Sequence, residues 1–327
     1  MKIGFCYDIE ENHPQKDEIE DMTAEYESKE TIQVFTDILA NMGEVIKLPY
    51  HPDLFQDLKK HKPDVVFNIT ESWGSRNRES FVPNLCEILN IPYTGSDGLG
   101  LGISLDKALT KHIASSLGIN TPDFYKVNSL EELKNINFNF PLFIKPNNEG
   151  SSIGIRRSSQ VNNREELKQN VKKLLRKYKR SILIEEFIPG REFVVAILGN
   201  RNLEVFPVAE ILVEGGNFPF YSYEYKGAHQ KTIECPAEIE PEKKEQMIKD
   251  TINIFKGLGC RDIARADFKL DEEGNPFFLE INPLPGLSPY HSVYPRQAEV
   301  AGMDIESIIE RLINFALSRK NGGNKNV

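Results

Sequence analysis

With 327 residues, 39% of them hydrophobic and 27% charged, the chain has room for two or three domains, each with its own core. A net charge of −9 without any long basic block speaks against general nucleic-acid binding, and no apolar run reaches membrane-spanning length. The four cysteines (Cys6, Cys86, Cys235, Cys260) form no C-x-x-C pair, so buried thiols are expected rather than a zinc site or a disulfide framework. Acidic residues follow the first apolar segment too soon for a signal peptide, and a cytoplasmic protein is expected.

The first hundred residues alternate between strand and helix patterns. Residues 3–7, 45–48 and 65–69 read as apolar strands. Between the first two, Thr31, Ile32, Val34, Phe35, Ile38 and Leu39 mark a helical face, with Gly43 expected as a left-handed stop. A short helix around 55–59 precedes the third strand. Such βαβ units imply a parallel sheet covered by helices, with ligands beyond the carboxyl ends of its strands. The polar loop 70–79 falls at that place.

A helix is expected from Asp106 to Gly118, with a break at Thr121-Pro122. Residues 140–144 read as a buried strand. The basic run 168–180 carries Leu167, Val171, Leu174, Leu175 and Tyr178 at helical spacing, so an amphipathic helix with a solvated basic face is expected. Strands follow at 182–186, 193–198 and 203–213, then a loop at 214–231 and a helix at 242–258. A hairpin joins 263–270 to 277–281, and two helices and a polar tail, 320–327, end the chain.

Two segments carry chemistry. The first is Lys145-Pro146-Asn147-Asn148-Glu149-Gly150-Ser151-Ser152-Ile153-Gly154. A lysine delivered by a strand into a loop of small residues suits a polyphosphate, because backbone N–H groups can approach the phosphate oxygens. It lacks the spacing of a Walker A loop or a GxGxxG fingerprint, and a plain surface turn would use the same residue types. The second is the last hairpin. Arg265 and Asp267 share one face of their strand, as Glu280 and Asn282 do on the partner strand, so the hairpin brings all four together. Hard oxygen donors in that number suit Mg²⁺ shared with phosphate and water, whereas a solvated face of cross-strand ion pairs is the plainer reading. The turn Asn282-Pro283-Leu284-Pro285-Gly286 would hold backbone N–H groups beside the metal.

Taken in order, Lys145 to Gly154, Glu185 to Glu192, Arg265-x-Asp267, Glu280-x-Asn282 and Pro285-Gly286 resemble the ATP-grasp superfamily, in its D-alanine–D-alanine ligase-like branch. Ile91-Pro92-Tyr93-Thr94-Gly95-Ser96, Leu105-Asp106-Lys107 and Thr110-Lys111 are similar to that branch as well. The resemblance implies an α/β protein, α+β in its ATP-binding part. Its ATP-grasp fold would comprise an N-terminal parallel α/β domain (1–105), a central subdomain (106–193) and a C-terminal subdomain (194–319), with 320–327 as a flexible tail. ATP clasped between the last two would phosphorylate a carboxylate, and an amine would attack the acylphosphate.

The resemblance also implies roles. Lys107, Lys145 and Lys226 would meet ATP phosphates under a closing Ser151-Ser152 loop. Glu185 and the backbone near Ile188 would meet adenine, and Glu192 the ribose. Asp267, Glu280 and Asn282 would hold two Mg²⁺ ions, replaceable by Mn²⁺. Arg265, Lys226, the Gly286 N–H and Ser151 would serve the reacting groups, and a homodimer would form through the first domain. Such electrostatic positioning is what phosphoryl transfer requires.

The amino-acid half departs from the family pattern. Glu71-Ser72-Trp73-Gly74 and Arg76-Asn77-Arg78-Glu79 replace a His-Gly and an acidic Gly-rich stretch, and Gly227 follows Lys226 where the family has tyrosine. Glu25 would hold the first substrate's ammonium group, with Glu27 as a competitor, and Ser292 would face the substrate. Glu71 or Glu79 would bind an amino group, and Arg76 or Arg78 a carboxylate. The expectation is therefore a ligase of amino acids or dipeptides with an altered substrate pair. The alternatives are a genuine D-alanine–D-alanine ligase of peptidoglycan synthesis and a non-catalytic ATP-binding sensor or scaffold. His291 beside Ser292 lacks an orienting third group, His229 reads as an exposed loop residue, and Trp73 either stacks on substrate or covers the sheet end.

Overall fold

A computed structural model describes residues 1–14, 18–137, 139–212 and 232–321. The first sheet holds β1 (Lys2–Tyr7), β2 (Glu44–Pro49) and β3 (Val65–Asn68), all parallel, in the order β2-β1-β3. Helices α1 (Lys29–Met42) and α2 (Leu54–His61) make the crossovers. The Ser28 hydroxyl caps α1 by accepting the Thr31 N–H, and Ile32, Phe35, Ile38 and Leu39 form its buried stripe. Because β1 lies between its two successors, the carboxyl ends of β1 and β3 form a topological switch point.

Gly43 differs from expectation. Its φ of 170° is extended, and glycine is needed because a Cβ would lie 2.2 Å from the Met1 carbonyl oxygen. Helices α3 (Phe81–Ile88) and α4 (Gly98–Leu105) have no counterpart in the sequence reading. Glycine's low helix propensity obscures α4, yet a side chain at Gly98 would meet Asn84 at 2.1 Å. The Asp97 carboxylate caps α4, and Asp106 caps α5 (Lys107–Ser116).

The second sheet, antiparallel, has β4 (Phe124–Val127), β5 (Leu142–Pro146), β6 (Gln160–Val161) and β7 (Ile182–Glu186) in the order β4-β7-β5-β6. Strand β5 begins later than expected and includes Lys145, which pairs with Leu183. Helix α6 (Arg164–Tyr178) buries Leu167, Val171, Leu174 and Tyr178 on this sheet and leaves its basic face in solvent.

The third sheet centres on β8 (Arg191–Gly199), flanked by β9 (Leu203–Val205), β10 (Ala209–Leu212), β11 (Thr232–Glu234), β12 (Ile263–Leu270) and β13 (Pro276–Asn282), in the order β11-β10-β8-β12-β13 with β9 also on β8. The strand expected at 203–213 is split around Pro207, which has no N–H for a ladder. Helix α7 (Pro241–Gly257) covers one face. Helices α8 (Val293–Val300) and α9 (Ile305–Asn321) end the described chain, so α9 takes in Lys320 and Asn321, expected in the tail. Ile308, Ile309, Leu312 and Ile313 share one core with Ile3, Phe5 and Phe67, which ties the end of the chain to the first sheet. Among the described residues no helix is long and apolar enough to cross a membrane. Cys6, Cys86 and Cys260 are buried, and all four thiols are free.

Candidate active site

A cleft of about 720 Å³ opens between the second and third sheets and reaches the loops of the first. Its charged wall is built from strands. Lys145 on β5 places Nζ 2.8 Å from Glu185 Oε1 of β7, and Lys111 on α5 places its own 3.1 Å from Glu185 Oε2. Four residues along α5 from Lys111, Lys107 reaches Glu280 Oε2 at 3.2 Å and donates to the Glu149 carbonyl at 2.5 Å. On β12 the Arg265 guanidinium grips Asp267 with two bonds of 2.8 Å.

The hairpin register places Arg265 opposite Asn282 and Asp267 opposite Glu280, and all four line the cleft. A bulge after Asp267 shifts the register only beyond that point. The Asn282 side-chain oxygen accepts the Leu284 N–H at 2.8 Å and so shapes the turn to Gly286. Among the described residues no three His, Cys, Asp or Glu side chains cluster as a closed metal site. Two carboxylates and an amide oxygen on one face instead fit an ion that shares its coordination with phosphate and water.

Burial pushes the Glu280 carboxyl up, but Lys107, Lys145 and Arg265 together hold it down at about 2. Burial and the neighbouring Glu280 outweigh Arg265 at Asp267, whose pKa is raised. Burial drives Lys111 down to about 8, against the pull of Glu185. Cations and carboxylates therefore hold one another in place along the wall.

Most expected site residues meet here. Lys107, Lys145, Ser151, Ser152, Ile188, Glu192, Arg265, Asp267, Glu280, Asn282, Gly286 and Ser292 all line the cleft. Ser151 and Ser152 have φ of 45° and 62°, an unusual backbone that turns the loop sharply toward it. Lys226, Gly227 and His229 lie outside the described residues. Glu185 lines the cleft, and Lys111 and Lys145 hold its carboxylate. The sequence motifs assign Lys111 no role, although its spacing of four from Lys107 places both on one helix face. Phe143, Phe187, Ile188 and Leu279 supply an apolar side to the same cleft.

The amino-acid end differs more from expectation. Glu25 lines the cleft, yet its carboxylate accepts the Gly150 N–H at 2.7 Å and pairs with Arg78. Glu27 instead stands beside Gly286 and Ser292. A Cβ on Gly286 would lie 2.9 Å from Ser292 Oγ and 3.7 Å from Glu27 Oε1. Arg78 is only 3% exposed and does not line the cleft, so the expected substrate-carboxylate role is not what its position provides. Arg76 lies 3.7 Å from Asp106. Glu71 lines the cleft and its carboxyl is hydrogen-bonded to that of Glu79, whose pKa burial pushes to about 7. Asp8, at the end of β1, accepts the Glu71 and Ser72 N–H groups at 2.6 and 3.2 Å and is likewise pushed to about 7 by burial.

His291 pairs with Ser288, not Ser292, at 3.1 Å, and its other ring nitrogen lies 3.8 Å from Glu27. Ser288 is fully buried and bonded to Thr31, so this is a brace for the turn and not a nucleophile. Trp73 packs edge-on against Tyr50, with ring centroids 4.5 Å apart, and covers the sheet end.

A family model for the D-ala D-ala ligase C-terminus matches residues 113–314. The chain is 38% identical over 272 residues to the D-alanine--D-alanine ligase of Aquifex aeolicus (strain VF5), covering 83% of this chain and 88% of that one. It is 37% identical over 258 residues to the uncharacterized protein y4sG of Sinorhizobium fredii, covering 78% and 75%. A crystal structure of the D-alanine--D-alanine ligase from Bacillus anthracis superposes with a TM-score of 0.76 at 25% identity, covering 98% of this chain and 99% of that one. The VanG D-Ala:D-Ser ligase from Enterococcus faecalis has the same fold, with a TM-score of 0.74 at 24% identity and coverage of 96% and 99%.

Proposed function

Given that the chain belongs to the D-alanine–D-alanine ligase family and is an ATP-dependent ligase forming C–N bonds, we propose that it activates an amino-acid or dipeptide carboxylate as an acylphosphate. An amine then attacks that acylphosphate, and the substrate pair differs from two D-alanines. The observation carrying the reading is one strip of Lys107, Lys145 and Arg265 interleaved with Asp267, Glu280 and Asn282 along the cleft. Lysines there would pair with phosphate oxygens, and the loop at Ser151-Ser152 would cover them. Asp267, Glu280 and Asn282 would hold Mg²⁺, two ions in our reading, with Mn²⁺ as a substitute. The metal when bound supplies charge neutralisation on phosphate oxygens.

Arg265 and the Gly286 N–H would face the oxygens on which charge develops at the reacting carboxyl. Glu27, beside Gly286 and Ser292, takes the ammonium role in place of Glu25. Glu71, at the far side of the cleft, replaces the family's histidine and favours a different amino group. Ile88 and Leu99, each 71% exposed within residues 1–105, suit the homodimer that the family implies.

Purified protein incubated with ATP, Mg²⁺ and pairs of amino acids and dipeptides tests this by ADP release and product mass. An amide product formed with one ADP each is expected. D-alanyl-D-alanine as the preferred product would overturn the altered pair. ATP binding without ADP release from any pair would favour the sensor.

A further inference from the structure

Arg78 leaves the loop after β3 and closes on three consecutive residues of the loop that follows Lys145. Its Nη1 donates to the Asn148 carbonyl at 2.8 Å and lies 3.5 Å from Glu149 Oε2. Its Nη2 donates to Glu25, whose other oxygen accepts the Gly150 N–H at 2.7 Å. The two residues that follow, Ser151 and Ser152, hold positive φ. At the far end of the same loop, Asp21 accepts the Gly154 N–H at 3.1 Å. Arg180 repeats the brace from outside, bonding Glu149 at 3.3 Å and the Gly74 carbonyl at 3.1 Å.

A backbone that grips phosphate must have its peptide planes set before the ligand arrives, and non-glycine residues with positive φ stay in place only where surrounding contacts hold them. The charges that face Arg78 are Glu25, Glu149, Glu79 and Glu71, and they hold it firmly protonated. A planar fork holds its carbonyl and carboxylate partners at fixed angles to one another, which the freely rotating ammonium of a lysine does not. Since Arg78 does not line the cleft, any influence it has on ligand passes through other groups.

We propose that Arg78 is a positioning residue for the nucleotide. Through Asn148, Glu149 and the Glu25–Gly150 bond it fixes residues 148–152 in the shape that receives phosphate, and it thereby ties the amino-acid half of the cleft to the nucleotide half. This rests on the reading of the 145–154 loop as the phosphate grip.

Wild type, Arg78→Met, Arg78→Lys and the double variant Arg78→Met/Glu25→Gln would be titrated with a non-hydrolysable ATP analogue and Mg²⁺, without amino acid, by calorimetry. Truncating one partner of a buried charged hydrogen bond is expected to raise the Arg78→Met Kd about tenfold or more. Arg78→Lys should recover part of that loss. The double variant should also recover part, because glutamine still accepts the Gly150 N–H, the charge on residue 25 is gone and Glu149 keeps its bond to Arg180, but its Kd should stay several-fold above wild type. If Arg78→Met does not fold, the double variant decides by the same measure. A purely structural arginine would lower the melting temperature and the binding-competent fraction but leave Kd unmoved, and that result removes the positioning role while the ligase reading stands. Wild type that binds no nucleotide overturns the phosphate-grip reading and this role with it.

Discussion

The two halves of the cleft treat charge in opposite ways. Along the third sheet and β5, Lys107, Lys111, Lys145 and Arg265 face Glu185, Asp267 and Glu280, so cations outnumber carboxylates and each carboxylate has a cation in direct contact. At the carboxyl ends of β1 and β3 the ratio is reversed. Arg78 stands among Asp8, Glu25, Glu71, Glu79 and Glu149, and burial pushes Asp8 and Glu79 to about 7. In the proposed reading the first half receives a polyanion together with its metal. In the second, burial raises Asp8 and Glu79 toward protonation, and a cationic amine beside them would favour their charged forms.

Separate perturbation of each half sharpens this contrast. Arg265→Met should give the largest effect, a fall in kcat of about a thousandfold with nucleotide Kd close to wild type, since in the role proposed for Arg265 charge develops beside it only as the reaction proceeds. ADP release and calorimetry on the same preparation would measure both. A matching loss of nucleotide affinity would mean that Arg265 serves binding instead. Glu71→Gln is expected to lower kcat/KM for the amine substrate by about ten- to a hundredfold while nucleotide Kd holds. Equal losses for both ligands would break the division into halves.

The smallest effect concerns stability. Asp8 in the folded protein keeps its proton to about pH 7, whereas an unfolded aspartate loses it near about 3.9. Between those values the folded state binds more protons, so stability falls as pH rises through this window. Asp8→Asn keeps an acceptor for the Glu71 and Ser72 N–H groups but removes the titration. Urea unfolding at about pH 5.5 and 7.5 should show a shallower fall than wild type, by at most about 1.4 kcal/mol per pH unit. Glu79 would leave a residual slope, because it titrates in the same range.

The hairpin of Arg265, Asp267, Glu280 and Asn282 was legible because a strand alternates faces and a short turn leaves few registers. The stripes of α1 and α6 were legible from their 3.6-residue period. Helix α4 was not, since its first glycine, Gly98, follows from close packing on Asn84 and not from local preference. Among the acids of 25–27, spacing gave no choice. Glu25 turns to Gly150 and Arg78 while Glu27 turns to the Gly286 side, a decision made by a loop more than a hundred residues away.

From its own residues the chain thus determined the strand that leads to Lys145 and the paired faces of the last hairpin. Those are short-range matters of periodicity and turn chemistry. Tertiary structure alone decided that Arg78 braces the loop at 148–150 instead of meeting substrate, that Glu185 binds two lysines, and that α9 completes the first sheet's core. A charged side chain can satisfy its partner at any sequence separation, so only the packed fold chooses which one it meets.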